Sequence, residues 1–406
     1  MCGACDASIV IHTIPCRPPQ VQRLRGSDKV ISELRDRLWH EMGLRRKLYN
    51  ELVDERGKIR VHCRIRPILR RGCPAAIVEP SGEEHVAVTG RDGKRKAVEF
   101  DWVHGAAETQ SAVFEAVRPL ITSVVDGFNV CLLAYGQTGS GKSYTIVGDE
   151  EWGSGAGIRE KDGITVRSLH HLFEVMSERK ADMQFRVSVS CVEIYNNDIY
   201  DLMAPAESGQ RSLDVQSTTG VVVIPGLLSA EVSAPSEALD IIRKALSGRV
   251  QRPTLLNVSS SRSHAIVNIA VEGTGSLNGE QRRARLCLVD LAGSECVGRS
   301  GAEGVALEEA KNVNKSLSAF RDVMEALAKR QPHIPYRNAQ LTHYLMDCIG
   351  GTSKMLLFVN VSPEADDSAE TMHALTFGTH VRQVERPKAA AAAVSRPSSI
   401  GCIGRP

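Results

Sequence analysis

The residues with the clearest chemical signature form a glycine-rich segment that ends in a lysine and a serine. It fits the pattern G-x-x-x-x-G-K-[ST] and consists of Gly136, Gln137, Thr138, Gly139, Ser140, Gly141, Lys142 and Ser143. Glycines let the backbone curl so that its N–H groups face phosphate oxygens, and a helix that follows adds its positive N-terminal end. The lysine ammonium can reach the β- and γ-phosphates, and the serine hydroxyl suits Mg²⁺. The segment therefore predicts a nucleoside triphosphate site.

Two further segments carry residues that could act on a γ-phosphate. An apolar run ends at Asp290, whose carboxylate can hold Mg²⁺ through water, and it continues into Gly293 and Glu295. The N–H of Gly293 could face the γ-phosphate. The other segment, residues 257–264, surrounds Arg262 with hydroxyl groups, and Glu295 offers this arginine an ion-pair partner. These residue types predict contacts to Mg²⁺ and to the γ-phosphate beside the glycine-rich segment.

Alternating strands and helices must position these segments. Strand patterns are found at residues 58–67, 129–136, 186–195, 264–273, 282–293 and 354–363. Helical patterns lie between them, at residues 111–127, 165–179, 236–248, 307–330 and 339–351. The order predicts an α/β fold of the P-loop NTPase type, in which a central, mostly parallel, twisted sheet carries helices on both faces.

The flanking regions differ from this pattern. Residues 1–26 are expected to be irregular, residues 27–57 to form a helix, residues 58–386 to form the α/β domain, and residues 387–406 to be a disordered tail. Apolar residues occupy most a and d positions of one heptad frame in the helix: Ile31, Leu34, Leu38, Leu48 and Leu52. The remaining positions are charged: Glu41, Arg45 and Glu55. The pattern fits a short coiled coil or a lone amphipathic helix.

Composition excludes several classes of protein. The formal net charge of +2 gives no global basic field for nucleic acid. No apolar run approaches the roughly 18 residues that indicate a membrane span, and the N-terminus lacks the pattern of a signal peptide. The 11 cysteines are an odd number and lie mostly singly in apolar runs, which fits reduced thiols in the cytoplasm.

The three chemical segments, in this order, resemble the P-loop, switch I (N-x-x-S-S-R-S-H) and switch II (D-L-A-G-S-E) of kinesin motor domains. The likeness covers residues 58–384. It includes R-I-R-P at 64–67, EIYNNDIYDL at 193–202, ALEEAKNVNKSLSAF at 306–320 and HIPYRNAQLT at 333–342. Because several long motifs agree, the resemblance is specific and implies the kinesin motor fold.

For ligand binding, the resemblance implies ATP together with Mg²⁺. Arg64 and Pro67 border the adenine, and Tyr144 stacks on it. Ser260 and Ser261 approach the γ-phosphate and Mg²⁺. The implied Mg²⁺ ligands are Ser143, Ser261 and, through water, Asp290.

For the reaction, the resemblance implies hydrolysis of ATP to ADP and phosphate. Asn257 helps to close switch I, and Arg262 and Glu295 form the ion pair that shuts the site when ATP is bound. Glu295 also passes a proton from the attacking water through a second water. The implied catalytic set is Lys142, Ser261, Arg262, Asp290, Gly293 and Glu295.

The helix after switch II, near residues 306–330, carries the switch state to the microtubule in kinesins. Tubulin is acidic there, so the resemblance implies basic contacts. The candidates are Lys311, Lys315, Lys329, Arg330 and Arg337. Three positions depart from the family pattern: Arg321 replaces a usual glycine, whereas Gln340 and Cys296 replace usual lysines. Microtubule affinity is therefore expected to be weaker than typical or redistributed.

A helix joined directly to the first strand through Gly57 resembles the neck of C-terminal-motor kinesins (kinesin-14), which are minus-end directed. This implies a microtubule motor at the cytoplasmic cytoskeleton, including the spindle, with a homo- or heterodimer through the neck helix. The alternative is a regulatory module that binds microtubules with weak or no motility. The intact catalytic set argues against it, and the lack of guanine-reading segments argues against a GTPase.

Overall fold

The computed structural model describes residues 18–55, 57–69, 76–90, 93–149, 151–152, 157–205, 212–218, 221–250, 261–276, 279–295, 304–349 and 353–384. Asn257, Ser260 and Cys296 lie outside the described residues. So does the predicted disordered tail at residues 387–406.

The helices are α1 (Pro18–Glu55), α2 (Gln110–Glu115), α3 (Arg118–Val125), α4 (Lys142–Ile146), α5 (Ile164–Glu178), α6 (Pro235–Val250), α7 (Val305–Ala328), α8 (Gln340–Tyr344) and α9 (Ser368–Arg382). The strands are β1 (Ile59–Ile65), β2 (Val78–Pro80), β3 (His85–Thr89), β4 (Arg95–Glu99), β5 (Trp102–His104), β6 (Val130–Tyr135), β7 (Met183–Tyr195), β8 (Asp198–Asp201), β9 (Gln216–Thr218), β10 (Val221–Val223), β11 (Ala230–Val232), β12 (Ser263–Gly275), β13 (Gln281–Asp290) and β14 (Lys354–Val361). All six predicted strands are present in the described residues, as β1, β6, β7, β12, β13 and β14. The predicted helix at residues 111–127 is divided into α2 and α3, and α9 and the shorter strands β2–β5 and β8–β11 were not predicted.

The main sheet is mixed, with the order β11-β7-β12-β13-β6-β14-β1-β5, and β8 pairs with β7. Strands β13, β6, β14, β1 and β5 run parallel, whereas β12 is antiparallel to both β13 and β7. Smaller sheets are formed by β2-β3-β4 and by β9-β10. The predicted α/β class is confirmed, and its parallel half contains the strand that precedes the glycine-rich loop.

The central strands are covered on both faces, so apolar runs fill most of β6 and β14, whereas β1 alternates apolar residues with buried arginine and histidine. Every residue of β1, β6 and β14 is buried. Side chains alternate along a strand, so Cys131 and Leu133 of β6 share one face and belong to the core cluster that contains Phe320 of α7 and Phe377 of α9. On the basis of helix contacts, α7, α8 and α9 form one layer, and α3, α5 and α6 form another.

Helix α1 differs from its predicted bounds. It begins at Pro18 rather than at residue 27, so the expectation of an irregular segment through residue 26 is wrong for its last part. Prolines are tolerated in the first turn of a helix, where the N–H groups have no intrahelical partner, and a single glycine such as Gly26 costs only about 1 kcal/mol. The chain divides into two compact units, Met1–Leu52 and Val53–Pro406. No described helix is long and apolar enough to cross a membrane.

The end of α1 that belongs to the second unit is held by buried charges. Lys354 of β14 is 1% exposed and pairs with Asp54 at 2.7 Å. Its ammonium also lies 4.8 Å from the centre of the Phe128 ring. Arg60 of β1 donates to the carbonyl oxygens of Val53 and Gly57. These contacts join the last turn of α1 to the first and last strands of the parallel half.

Candidate nucleotide site

The glycine-rich loop lies between β6 and α4, as its sequence context predicts. Gly136 has φ +151°, and a Cβ there would lie 2.2 Å from the carbonyl oxygen of Asn360. Gly141 has φ +96° and stands directly before α4. A side chain at either position would be strained or would clash with backbone, so the loop needs glycine at both. The loop therefore curls tightly around the start of α4.

Lys142 fills the centre of this loop. Its Nζ donates to the carbonyl oxygens of Gly136 and Gln137, both at 2.9 Å. Burial lowers the pKa of Lys142, while the carboxylates of Asp290 and Glu295 act in the opposite direction. The ammonium is thus positioned to exchange two carbonyl contacts for phosphate oxygens.

Ser143 and Asp290 bring two hard oxygen donors together. The Ser143 hydroxyl donates to Oδ2 of Asp290 at 2.6 Å. The other carboxylate oxygen, Oδ1, is buried without a hydrogen-bond partner. The Oγ of Ser140 and the Oε1 of Gln137, in the same loop, are also buried and unpartnered. Mg²⁺ prefers oxygen ligands and usually retains water, so this set of polar atoms fits a Mg²⁺–phosphate group.

Arg64, Pro67 and Tyr144 line one cleft of about 360 Å³ beside the loop. The Arg64 guanidinium lies 5.4 Å from the centre of the Tyr144 ring. It also donates to Gln110 and Thr145, both at 2.9 Å, and burial lowers its pKa to about 10. The structure therefore brings together the three residues that sequence assigned to the base, and it adds Gln110 and Thr145 as supports that the sequence did not reveal.

The two charged switch residues are apart in this structure. Arg262 pairs with Glu309 of α7. Glu295 instead accepts hydrogen bonds from Thr138, at 2.9 Å from the backbone N–H and 2.6 Å from the hydroxyl. The predicted pair of Arg262 and Glu295 is therefore not formed here, because each residue is held by another partner. Its formation in the presence of ATP stays a prediction.

Switch II is tied to both other segments through its backbone. The N–H of Gly293 donates to the carbonyl oxygen of Ser261 at 3.0 Å, and the N–H of Ser294 donates to that of Gly136 at 3.1 Å. The Gly293 N–H predicted to face a γ-phosphate is thus occupied by switch I. It must leave Ser261 before it can bind phosphate.

Sequence reasoning missed the role of Glu309. Its second carboxylate oxygen accepts a hydrogen bond from the Tyr195 hydroxyl at 2.5 Å. A signal was present, because Glu309 lies at helical spacing from Val313, Ser316 and Phe320, which are buried on one face of α7. A carboxylate on the apolar face of a helix needs a partner, and the sequence alone offered no means of choosing Arg262.

Comparison with known proteins decides the family. Residues 63–384 match the sequence profile of the kinesin motor domain. The chain belongs to the kinesin motor domain family. Both the predicted fold and the predicted family are thereby confirmed.

The most similar kinesins include plant members of the KIN-14 group. The chain is 40% identical to the kinesin-like protein KIN-14R of Oryza sativa subsp. japonica over 94% of its own length and 38% of the relative's. It is 38% identical to KIN-14S of Arabidopsis thaliana, over 90% and 48% of the two lengths. The chain therefore spans less than half the length of these curated relatives.

Solved kinesin structures have a similar fold. The C-terminal motor and motor homology domain of Kar3Vik1, fused to a synthetic heterodimeric coiled coil, has a TM-score of 0.77 and 32% identity, with 89% of this chain and 95% of that chain covered. The motor domain of the Kar3-like kinesin from Ashbya gossypii has a TM-score of 0.67 and 31% identity, covering 80% and 100%.

The helix that follows switch II is α7, called the relay helix below. The predicted basic residues lie along it and beyond its end, and about 27 Å of helix separates Lys311 from Lys329. Lys311 and Lys315 are exposed on this helix, but Lys311 is paired with Glu308 at 2.7 Å. Lys329 caps the C-terminus and pairs with Glu325, and Arg330 follows with φ +49°. Arg337 is exposed on a 3₁₀ turn that contacts α7.

The departures from the kinesin pattern have different surroundings. Arg321 is exposed on α7. Gln340 is half-buried at the start of α8, and its backbone N–H donates to Asn197 at 3.0 Å. The structure thus leaves the Arg321 charge on the same helix as Lys311 and Lys315, whereas position 340 is tied to the loop between β7 and β8.

Proposed function

We propose that this chain is the motor domain of a minus-end-directed microtubule motor that hydrolyses ATP. The observation that carries the proposal is the pairing of Ser143 with Asp290 beside the glycine-rich loop, with one buried carboxylate oxygen unpartnered. That arrangement supplies the ligands for Mg²⁺ and ATP. The switch residues Arg262 and Glu295 have two alternative sets of partners: Glu309 and Thr138, as in this structure, or one another.

Each residue at the site has a distinct role in hydrolysis. Arg64, Pro67 and Tyr144 hold the base, and the loop amides and Lys142 hold the phosphates. Ser143, Ser261 and Asp290 would hold Mg²⁺, the last through water, and the ion would offset the charge that develops on the phosphoryl oxygens. Glu295 accepts the proton of the attacking water through a second water.

The switch contacts offer a route from hydrolysis to movement. Arg262 has to leave Glu309, and Glu295 has to leave Thr138, before the two can pair. Because Glu309 lies on α7, this exchange removes a charged contact between switch I and the relay helix. A γ-phosphate that stabilises the closed pair thereby alters how α7 is held, which is the two-state element that a motor requires.

The direction of movement and the cellular place rest on the KIN-14 relatives. Helix α1 is followed directly by β1, and this order resembles the neck of C-terminal-motor kinesins. We infer minus-end-directed movement on cytoplasmic microtubules, including those of the spindle.

A single assay tests activity and direction together. The chain, fixed to a surface, should glide polarity-marked microtubules with their plus ends leading, and its ATPase rate should rise on addition of microtubules. Lys142→Ala should abolish both. Microtubule binding with no stimulation of the ATPase would instead support the alternative, a regulatory module without motility.

Helix α1 is the proposed dimer contact. Ile31, Leu34, Leu48 and Leu52 are all exposed on it, and they follow the heptad frame. Light scattering should give the mass of a dimer for the wild-type chain. The double variant Leu34→Gln with Leu48→Gln should have the mass of a monomer. Lys47→Gln, which lies at neither an a nor a d position, should leave the dimer mass unchanged. A monomer of wild-type chain at all concentrations would exclude a homodimer and leave a heterodimer with another chain.

A further inference from the structure

One buried side chain connects three elements that move relative to one another in the proposed cycle. His264 lies near the start of β12, directly after switch I, and is 2% exposed. Its Nδ1 lies 3.0 Å from the backbone nitrogen of Ala292 in switch II. Its Nε2 lies 2.7 Å from the hydroxyl oxygen of Ser316 on α7. The imidazole therefore bridges switch II and the relay helix.

The direction of both hydrogen bonds follows from their partners. The Ala292 N–H can only donate, so Nδ1 of His264 must be the acceptor. The Ser316 hydroxyl donates its proton to the carbonyl oxygen of Val313 at 2.7 Å, so it accepts from Nε2–H. Burial, together with the charges of Arg249 and Lys142, lowers the pKa of His264 to about 3. The ring thus stays neutral, with its proton on Nε2.

The next peptide of switch II, that of Gly293, makes a hydrogen bond that has to break in the proposed cycle. Gly293 donates its N–H to Ser261, and that bond must break if the N–H is to reach a γ-phosphate. The adjacent Ala292 N–H is held by a ring that also bonds Ser316 of α7. One peptide of switch II can therefore exchange partners, while the preceding one keeps its partner.

We propose that His264 is a positioning residue that keeps Ala292 bonded while Gly293 exchanges partners, and that the imidazole passes the resulting shift of switch II to α7 through Ser316. The inference rests on the proposed function and deepens it, because it assigns the link between the nucleotide site and the microtubule-facing helix to one side chain. His264 contacts no nucleotide in this role.

Two substitutions separate the two bonds. The amide oxygen of His264→Asn stands near the position of Nδ1 and can still accept from Ala292, but nothing reaches Ser316. The amide of His264→Gln stands near Nε2 and can donate to Ser316, but the acceptor for Ala292 is lost. Ser316→Ala removes the α7 bond from the other side.

The expected results differ between the variants. His264→Asn and Ser316→Ala should keep basal ATPase within about twofold and lose about tenfold in microtubule stimulation. The double variant should be no worse than either single one. His264→Gln should lower the basal rate itself by about tenfold, since the Ala292 position is released. Equal loss of basal and stimulated rates in all variants, in proportion to lost thermal stability, would show a merely structural role and overturn the proposal.

A second measurement needs no microtubules. Amide hydrogen exchange of the full chain, with ADP and with a non-hydrolysable ATP analogue, should differ along α7 in the wild type. In His264→Asn the difference should be confined to residues 290–295. No nucleotide-dependent change at α7 in the wild type, or an unchanged response in the variant, overturns the inference. A wild type that shows the exchange difference but no microtubule stimulation would instead count against the proposed function alone.

Discussion

At the scale of single residues, hydrogen bonds within the protein occupy several of the groups that would bind ATP and Mg²⁺. Lys142 is held by loop carbonyls, Ser143 by Asp290, and Glu295 by Thr138. Each contact is one that a phosphate, a metal ion or a switch residue can replace. Nucleotide binding is therefore an exchange of polar partners, and its net free energy is smaller than the sum of the new contacts.

Glu295 gives the sharpest test at this scale. Glu295→Ala should lower ATP turnover by about 100-fold or more, because the proton acceptor for the attacking water is lost. The variant should accumulate with ATP bound and hold microtubules tightly. Steady-state ATPase and nucleotide-retention assays measure both effects. Glu231→Ala, at an exposed carboxylate on β11, is the control. A wild-type rate in Glu295→Ala would remove Glu295 from the mechanism.

At the scale of elements, α7 contacts the switch residues with one face and exposes basic residues on the other. Its buried face presents Glu309 to Arg262 and Ser316 to His264, while its exposed face presents Lys311 and Lys315. The same helix thus reads the switch state on one side and offers charge to an acidic surface on the other.

Removal of the exposed charges should weaken microtubule binding without affecting the nucleotide site. Lys311→Ala with Lys315→Ala should raise the microtubule KM by about 2–30-fold, as expected for two exposed pairs, and leave basal ATPase intact. Lys315→Ala alone should have the larger single effect, because Glu308 already offsets the charge of Lys311. Lys180→Ala, at an exposed lysine outside α7, is the control. Loss of the basal rate would instead identify these lysines as structural.

The last turn of α1 is held to the sheet by the pair of Asp54 and Lys354. The loss of unfolding free energy should depend on which of the two residues is replaced. Asp54→Ala takes away a carboxylate that faces a buried ammonium, and should reduce the free energy of unfolding by about 2–4 kcal/mol. Lys354→Met replaces the buried charge with an apolar chain and leaves Asp54, which is 33% exposed, in contact with water. It should therefore cost less. Urea unfolding of both variants measures the order, and a larger loss in Lys354→Met would contradict it.

At the scale of the whole molecule, stability should vary with pH through buried histidines. Burial, followed by the charges of His104 and Arg60, lowers the pKa of His62 well below 6.5, and the pKa of His264 is about 3. Since the unfolded chain takes up these protons below about pH 6.5 and the folded chain does not, both residues reduce stability on acidification. Asp347, whose pKa burial raises to about 7, acts in the opposite sense.

A variant isolates the contribution of one histidine from this balance. Between pH 7.5 and 5.5, wild type should lose about 1 kcal/mol more unfolding free energy than His62→Phe, because the variant has no proton to take up at this position. Phenylalanine also keeps an aromatic ring beside Phe358. Urea unfolding at the two pH values measures the difference, and parallel pH profiles would contradict the assignment.

Much of the nucleotide site could be predicted because its chemistry is local. The loop from Gly136 to Ser143 needs glycines and a lysine at fixed spacing, and Asp290 ends a recognisable buried strand. The alternation of apolar runs likewise predicted an α/β fold. Helix α1 begins earlier than predicted because the first turn of a helix accepts the prolines at positions 18 and 19.

The amino-acid sequence by itself determined the ligand chemistry, the order of the switches and the family, since each depends on residues close together in the chain. Only the tertiary structure decided which partners the charged residues take. Arg262 could pair with Glu295 or with Glu309, and it pairs with Glu309 because α7 packs that carboxylate against switch I. The bridge from His264 to Ala292 and Ser316 has the same origin. Such contacts join residues distant in sequence, and only the packing of helices on the sheet brings them within hydrogen-bond reach.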